Sequence, residues 1–112
     1  ITFSNDGVWT VGRADIETLI TPLVAAYSAT HHYISNVEIT FESASEARSQ
    51  CYLHAWHRPA DGSVDFTLYA QYHDVWTRTT EGWRIKERSL RTAGTVGREL
   101  ADTNLAGLGR AN

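Results

Sequence analysis

The chain has 112 residues, 42% of them hydrophobic and 21% charged, with a formal net charge of −3. That is enough for one domain with one core and hardly two. Scattered basic residues in a weakly acidic chain leave no electrostatic footprint for nucleic acid or an acidic membrane surface. No run reaches the length of a membrane span, and no charged-then-apolar leader is present.

Residues 1–11 read as two short strands around "NDG", an Asp-Gly hairpin signal. A helix is predicted from about Ala14 to Ser28. Ile16, Leu19, Ile20, Leu23, Val24 and Tyr27 recur at three- and four-residue spacing and form one broad apolar stripe. Pro22 either kinks this helix or opens a second segment capped by Thr21. From His32 the period changes to two, with "THHYISN" at the mouth of a strand. In "NVEITFE", Val37, Ile39 and Phe41 alternate with Glu38, Thr40 and Glu42, the pattern of a half-buried strand.

After the turn "SASE", a second strand runs through "ARSQCYLHAWH", and "RPADGS" makes a hairpin loop. "VDFTLYAQYHDVWTRT" is a third, long strand, "TEG" a tight turn, and "WRIKERSLRTA" a fourth strand. Three successive hairpin connections make a meander, so the sheet is expected to be mostly antiparallel. The glycine-bearing tail from about Gly94 is expected to be loose. The fold class is α+β, a single domain over 1–112 with a helix packed on a strongly curved sheet that forms a cone. One helix closes such a cone poorly. Because the chain opens on Ile1 rather than Met, a further helical segment is expected upstream.

Cys51 stands alone in the sequence. No intrachain disulfide is possible, and a free thiol fits a reducing, cytoplasmic compartment. His54 and His57 lie on opposite faces of a regular strand and complete no known ligand spacing with His73, so no metal site is expected. Tyr52, His54 and Trp56 share one face. If Leu53 and Ala55 look inward, that row lies outside and suits self-association. No phosphate loop, nucleophile elbow or Cys-His pair is present.

His32, Ile34 and Asn36 share a strand face if no bulge intervenes, and an imidazole there can take a proton near neutral pH. His31 then looks outward. Tyr72 shares its face with Phe66, Leu68, Ala70, Asp74 and Trp76, which fits a cavity wall with few polar groups. The alternative is plain core. Asp74 is expected to pair with Arg78 or Arg88. An inward Arg88 needs a bulge in its strand, because Ile85 and Glu87 occupy the opposite parity from Arg84, Lys86 and Arg88.

The order of helix, "HHYISNVEI", the "YHDVWTRTTEGWRI" hairpin and the Arg-Ser-Leu after it resembles the SnoaL-like family. That family lies within the cone-fold superfamily of nuclear transport factor 2, ketosteroid isomerase and scytalone dehydratase. The resemblance spans roughly residues 1–92 and is closest to the dehydratase and dehydrochlorinase members. It implies a cofactor-free enzyme that removes a proton from a small hydrophobic molecule, ending in elimination or isomerisation. The family's general base matches His32, its pocket aromatic Tyr72 and its pocket cation Arg88. The Asp that pairs with the base in the family would precede Ile1. Asn36, Phe3, Trp9, Leu53, Leu68 and Leu90 are further candidates for substrate contact. A dimer or trimer is expected. Alternatives are a cone-fold module that binds or assembles without turnover, and a small subunit of a ring-hydroxylating oxygenase, which would have a largely filled cone.

Overall fold

The computed structural model describes residues 1–98. Two short strands, β1 (Thr2–Asn5) and β2 (Val8–Val11), are joined across Asp6 and Gly7. Both turn residues have positive φ, 49° and 92°, as a two-residue hairpin of the right twist requires. Helix α1 follows at Arg13–Ala25, and four long strands complete the chain: β3 (Tyr27–Phe41), β4 (Glu46–Pro59), β5 (Phe66–Thr79) and β6 (Gly82–Val96). They form one sheet in the order β2-β1-β6-β5-β4-β3. Every pairing is antiparallel except β1 with β6.

The sheet is strongly curled. Flat, β3 and β6 would lie ~14 Å apart with two strands between them, yet the rings of Phe41 and Trp83 meet edge to face at 5.9 Å. The concave side carries the core: Leu53, Ala55, Leu68, Ala70 and Leu90, with Phe3 and Tyr72 packed against them. Helix α1 lies across part of this side. Its backbone starts at Gly12 without a side-chain cap, and Pro22 sits inside it with no second helical segment. None of its residues is buried, because its apolar stripe faces a cavity rather than a packed layer.

Two expectations about β3 change. The strand begins at Tyr27, so the paired histidines lie well inside it rather than at its mouth. A bulge then interrupts it: Ser35 pairs with Tyr52 and Glu38 with Gln50, which sets Asn36 and Val37 opposite the single residue Cys51. Asn36 takes the left-handed conformation, φ 54°, which its short polar side chain tolerates better than most. The bulge reverses the parity, and Asn36 therefore does not continue the His32 face. In its place Val37, Ile39 and Phe41 follow His32 and Ile34 on the concave side. Those three stay exposed rather than half-buried, at 56%, 58% and 68%.

A second bulge sits in β6, where Val75 pairs with Glu87 and Trp76 with Ile85, leaving Lys86 as the extra residue. It lets Ile85 and Arg88 look the same way despite their odd spacing. The tail does not loosen at Gly94, since β6 runs to Val96; the rest of that segment, from residue 99, lies outside the described residues. Among the described residues no helix is long and apolar enough to cross a membrane.

The left-handed φ at Asn36 makes a stability prediction. Asn36→Val should cost about 1–2 kcal/mol and Asn36→Gly should be close to neutral, read from urea denaturation midpoints.

Candidate functional site

Between α1 and the concave sheet lies a cavity of about 350 Å³. The helix contributes Ile16, Leu19, Ile20, Leu23 and Val24, and the sheet contributes Leu53, Ala55, Leu68 and Leu90 opposite them. The small side chain of Ala55 keeps the floor low, which leaves space where a larger residue would fill it. Into this apolar enclosure the strands project a few polar groups: Asn5, Tyr27, Thr30, His32, His57, Tyr72 and Arg88. A mainly apolar concavity with a handful of convergent polar groups is the usual form of a small-molecule site.

The histidine end is built from adjacent strands. His32 on β3 and His57 on β4 approach edge to face, ring centroids 5.7 Å apart. His57 is 4% exposed. Its ring stacks on Phe66 at 4.5 Å and lies 4.7 Å from that of Tyr27. Burial in these rings pushes its pKa down from 6.5 to about 4, aided by repulsion from His32; backbone groups of Ala55 and Phe66 oppose the shift. The Nδ1 of His57 has no hydrogen-bond partner among the described residues. His32 is more open, and its pKa is lowered by partial burial and by neighbouring His31. Both imidazoles are therefore neutral at physiological pH, the form that can accept a proton. No carboxylate forms an ion pair with His32 among the described residues.

The opposite end is a charge pair set into the wall. Asp74 on β5 is 5% exposed. It accepts two hydrogen bonds from Arg88 on β6, at 2.8 Å from both Nε and Nη2. The guanidinium carbon lies 4.0 Å from the centroid of the Tyr72 ring, a cation–π arrangement. The carboxylate raises the Arg88 pKa further, so Arg88 stays charged. Burial raises the Tyr72 pKa, with Arg88 acting against it; the phenol is a hydrogen-bond donor, not a phenolate.

Of the residues singled out in the sequence, His32, Tyr72, Arg88, Leu53, Leu68, Leu90 and Phe3 come together around this one cavity. Two do not. Trp9 lies among polar residues of a separate cleft with Glu38, Arg48, His73 and Arg91, because its strand position faces the outer side. Asn36 borders a small depression with Glu38, Gln50 and Tyr52, turned there by the β3 bulge. His57 was missed, although parity carried the signal: if Leu53 and Ala55 face inward, so does His57. His31 is exposed and stacks on Tyr33, and His54 on the outer face meets Tyr69. Among the described residues no three His, Cys, Asp or Glu side chains are grouped to hold a metal ion.

Comparisons with known proteins follow the same lines. The SnoaL-like domain family matches residues 1–89. A crystal structure of a protein from Novosphingobium aromaticivorans, assigned as a scytalone dehydratase, superposes with a TM-score of 0.82. It has 28% identity and covers 99% of this chain and 74% of its own. A hexachlorocyclohexane dehydrochlorinase (LinA, type 2) has the same fold at 16% identity and a TM-score of 0.77, covering 99% of this chain and 72% of its own. A Kribbella flavida protein does so at 22% identity and 0.78, covering 96% and 75%. Curated protein sequences yield no match.

His57 gives a pH prediction. Below 6.5 the unfolded chain takes up a proton that folded His57 refuses until about 4. Its contribution to stability is therefore intact above 6.5 and is lost as pH falls through that window, by up to about 3 kcal/mol. Urea denaturation across the window should show this loss in wild type and a clearly shallower one in His57→Phe.

Proposed function

This chain belongs to the SnoaL-like domain family, and from that premise we propose that it is a cofactor-free lyase or isomerase acting on a small hydrophobic molecule. The observation that carries the proposal is the cavity itself: an apolar enclosure of about 350 Å³ with a neutral imidazole, His32, in one wall and a fixed cation, Arg88, in another. His32 is the general base. It removes a proton from carbon next to a leaving group or carbonyl, a step that a positioned base accelerates by about 10²–10⁴. Tyr72 donates a hydrogen bond to the oxygen or halogen where negative charge develops, and Arg88 beneath it stabilises that charge. His57 stays neutral beside His32 and forms part of the cavity wall.

The names of the structural neighbours support an elimination. Loss of water from scytalone and loss of chloride from hexachlorocyclohexane both remove a proton and a leaving group from a ring. Leu53, Leu68, Leu90 and Phe3 supply the apolar contact such a ring needs.

A second reading, a binding module without turnover, draws on one observation: no carboxylate pairs with His32 among the described residues. The two readings separate in one assay. Wild-type protein is incubated in deuterated water with a panel of cyclic β-hydroxyketones and chlorinated cyclohexanes, and deuterium incorporation and product are followed by NMR. The enzyme reading expects exchange or elimination that falls about 10²–10⁴-fold in His32→Gln and less in Tyr72→Phe. Ligand-induced shifts without exchange, or a rate indifferent to His32→Gln, would contradict it.

A further inference from the structure

The cation in the cavity wall is not a free one. Arg88 spends its Nε and one Nη2 hydrogen on Asp74, both at 2.8 Å, and its guanidinium carbon lies over the Tyr72 ring, 4.0 Å from the centroid. Of its five N–H donors, those on Nη1 and the second on Nη2 remain. The side chain of Arg88 is 31% exposed and that of Asp74 only 3%. The pair therefore presents hydrogen-bond donors to the cavity while its net charge is zero. The histidines add no charge either, since burial keeps both neutral, and among the described residues no other charged side chain lines the cavity. A full anion entering this space would lose its hydration and find no uncompensated side-chain cation in return. An uncharged ligand with one accepting oxygen or halogen would meet the remaining N–H groups at much lower desolvation cost.

We propose that Asp74 is a specificity-determining residue: by cancelling the charge of Arg88 and holding its guanidinium over the Tyr72 ring, it sets the cavity for uncharged ligands and against carboxylates. Asp74 touches no ligand in this account and acts through Arg88. The inference rests on the reading of the cavity as a ligand site. A bidentate contact from a buried Asp74 fits this role, whereas a single exposed arginine would have served a purely cationic one.

The test uses two probes of one shape, naphthalene-carboxamide and the isosteric naphthalene-carboxylate, titrated near neutral pH by calorimetry, with the imidazole signals of His32 and His57 marking the site. Wild type should bind the carboxamide at least about tenfold more tightly. Asp74→Asn keeps the shape and uncovers the Arg88 charge, so the order should reverse in favour of the carboxylate. Asp74→Asn combined with Arg88→Gln removes both charges and should restore preference for the carboxamide. Carboxylate preference in wild type overturns the proposal without any variant. An unchanged ratio in folded Asp74→Asn, checked by its melting transition, overturns it as well. If that variant does not fold, the wild-type preference decides. Binding of neither probe at the histidines overturns the ligand-site reading and this inference together, whereas binding of both with the wrong order overturns the inference alone.

Discussion

A strand that alternated faithfully from Trp83 to Leu90 would send either Ile85 or Arg88 to the outer face, because an odd spacing separates them. Lys86 prevents this. As the unpaired residue of a bulge, it lets an apolar side chain and the cation line the same cavity. The bulge at Asn36 does the equivalent in β3, keeping His32 and Ile34 on one face with Val37, Ile39 and Phe41. Bulges also sharpen local twist and bend, and curvature of the sheet is what turns a flat concave face into an enclosure. The shared facing of Ile85 with Arg88 and of Ile34 with Val37 thus depends on two inserted residues, Lys86 and Asn36, neither of which lines the cavity.

Within that enclosure the electrostatics are arranged to carry no net charge. His57 is kept neutral by aromatic burial and by repulsion from His32, partial burial and His31 lower the pKa of His32, and Asp74 balances Arg88. A low-charge, mostly apolar space makes the few remaining dipoles and donors count for more than they would in water. For the proposed reaction, that is the setting in which one neutral imidazole would take a proton from carbon and a phenol and guanidinium would meet the charge that appears.

Much of the fold was legible in the sequence because its signals were local. The helical stripe from Ile16 to Val24 and the Asp-Gly and Thr-Glu-Gly turns identify the elements, and three hairpins in a row impose the antiparallel order. The bulges were legible only as conflicts. Apolar parity in β3 switches from even at His32 and Ile34 to odd at Val37, and Arg88 stood on the wrong parity for a cavity residue. A continuing face through the first conflict puts Asn36 beside His32, where the bulge does not leave it; the second conflict requires a bulge, which β6 contains. Trp9 was misplaced because a four-residue strand gives too short a run to fix its facing. His57 is legible through its parity with Leu53 and Ala55, a signal masked by its three-residue spacing from His54, which poses a metal-ligand question instead. Pairing of β1 with β6 across the whole chain left no local signal at all.

The protonation state of the two cavity histidines is the most direct test of a neutral, ligand-binding cavity. Isotope-edited NMR of the imidazoles, titrated with and without naphthalene-carboxamide, would report it, with His31 and His54 on the outer side as internal references. The account predicts that His57 stays neutral to about pH 4 and that His32 takes its proton below 6.5. It also predicts that the ligand shifts both signals and leaves the outer pair unmoved. Titration of both at 6.5, with no response to ligand, would contradict it.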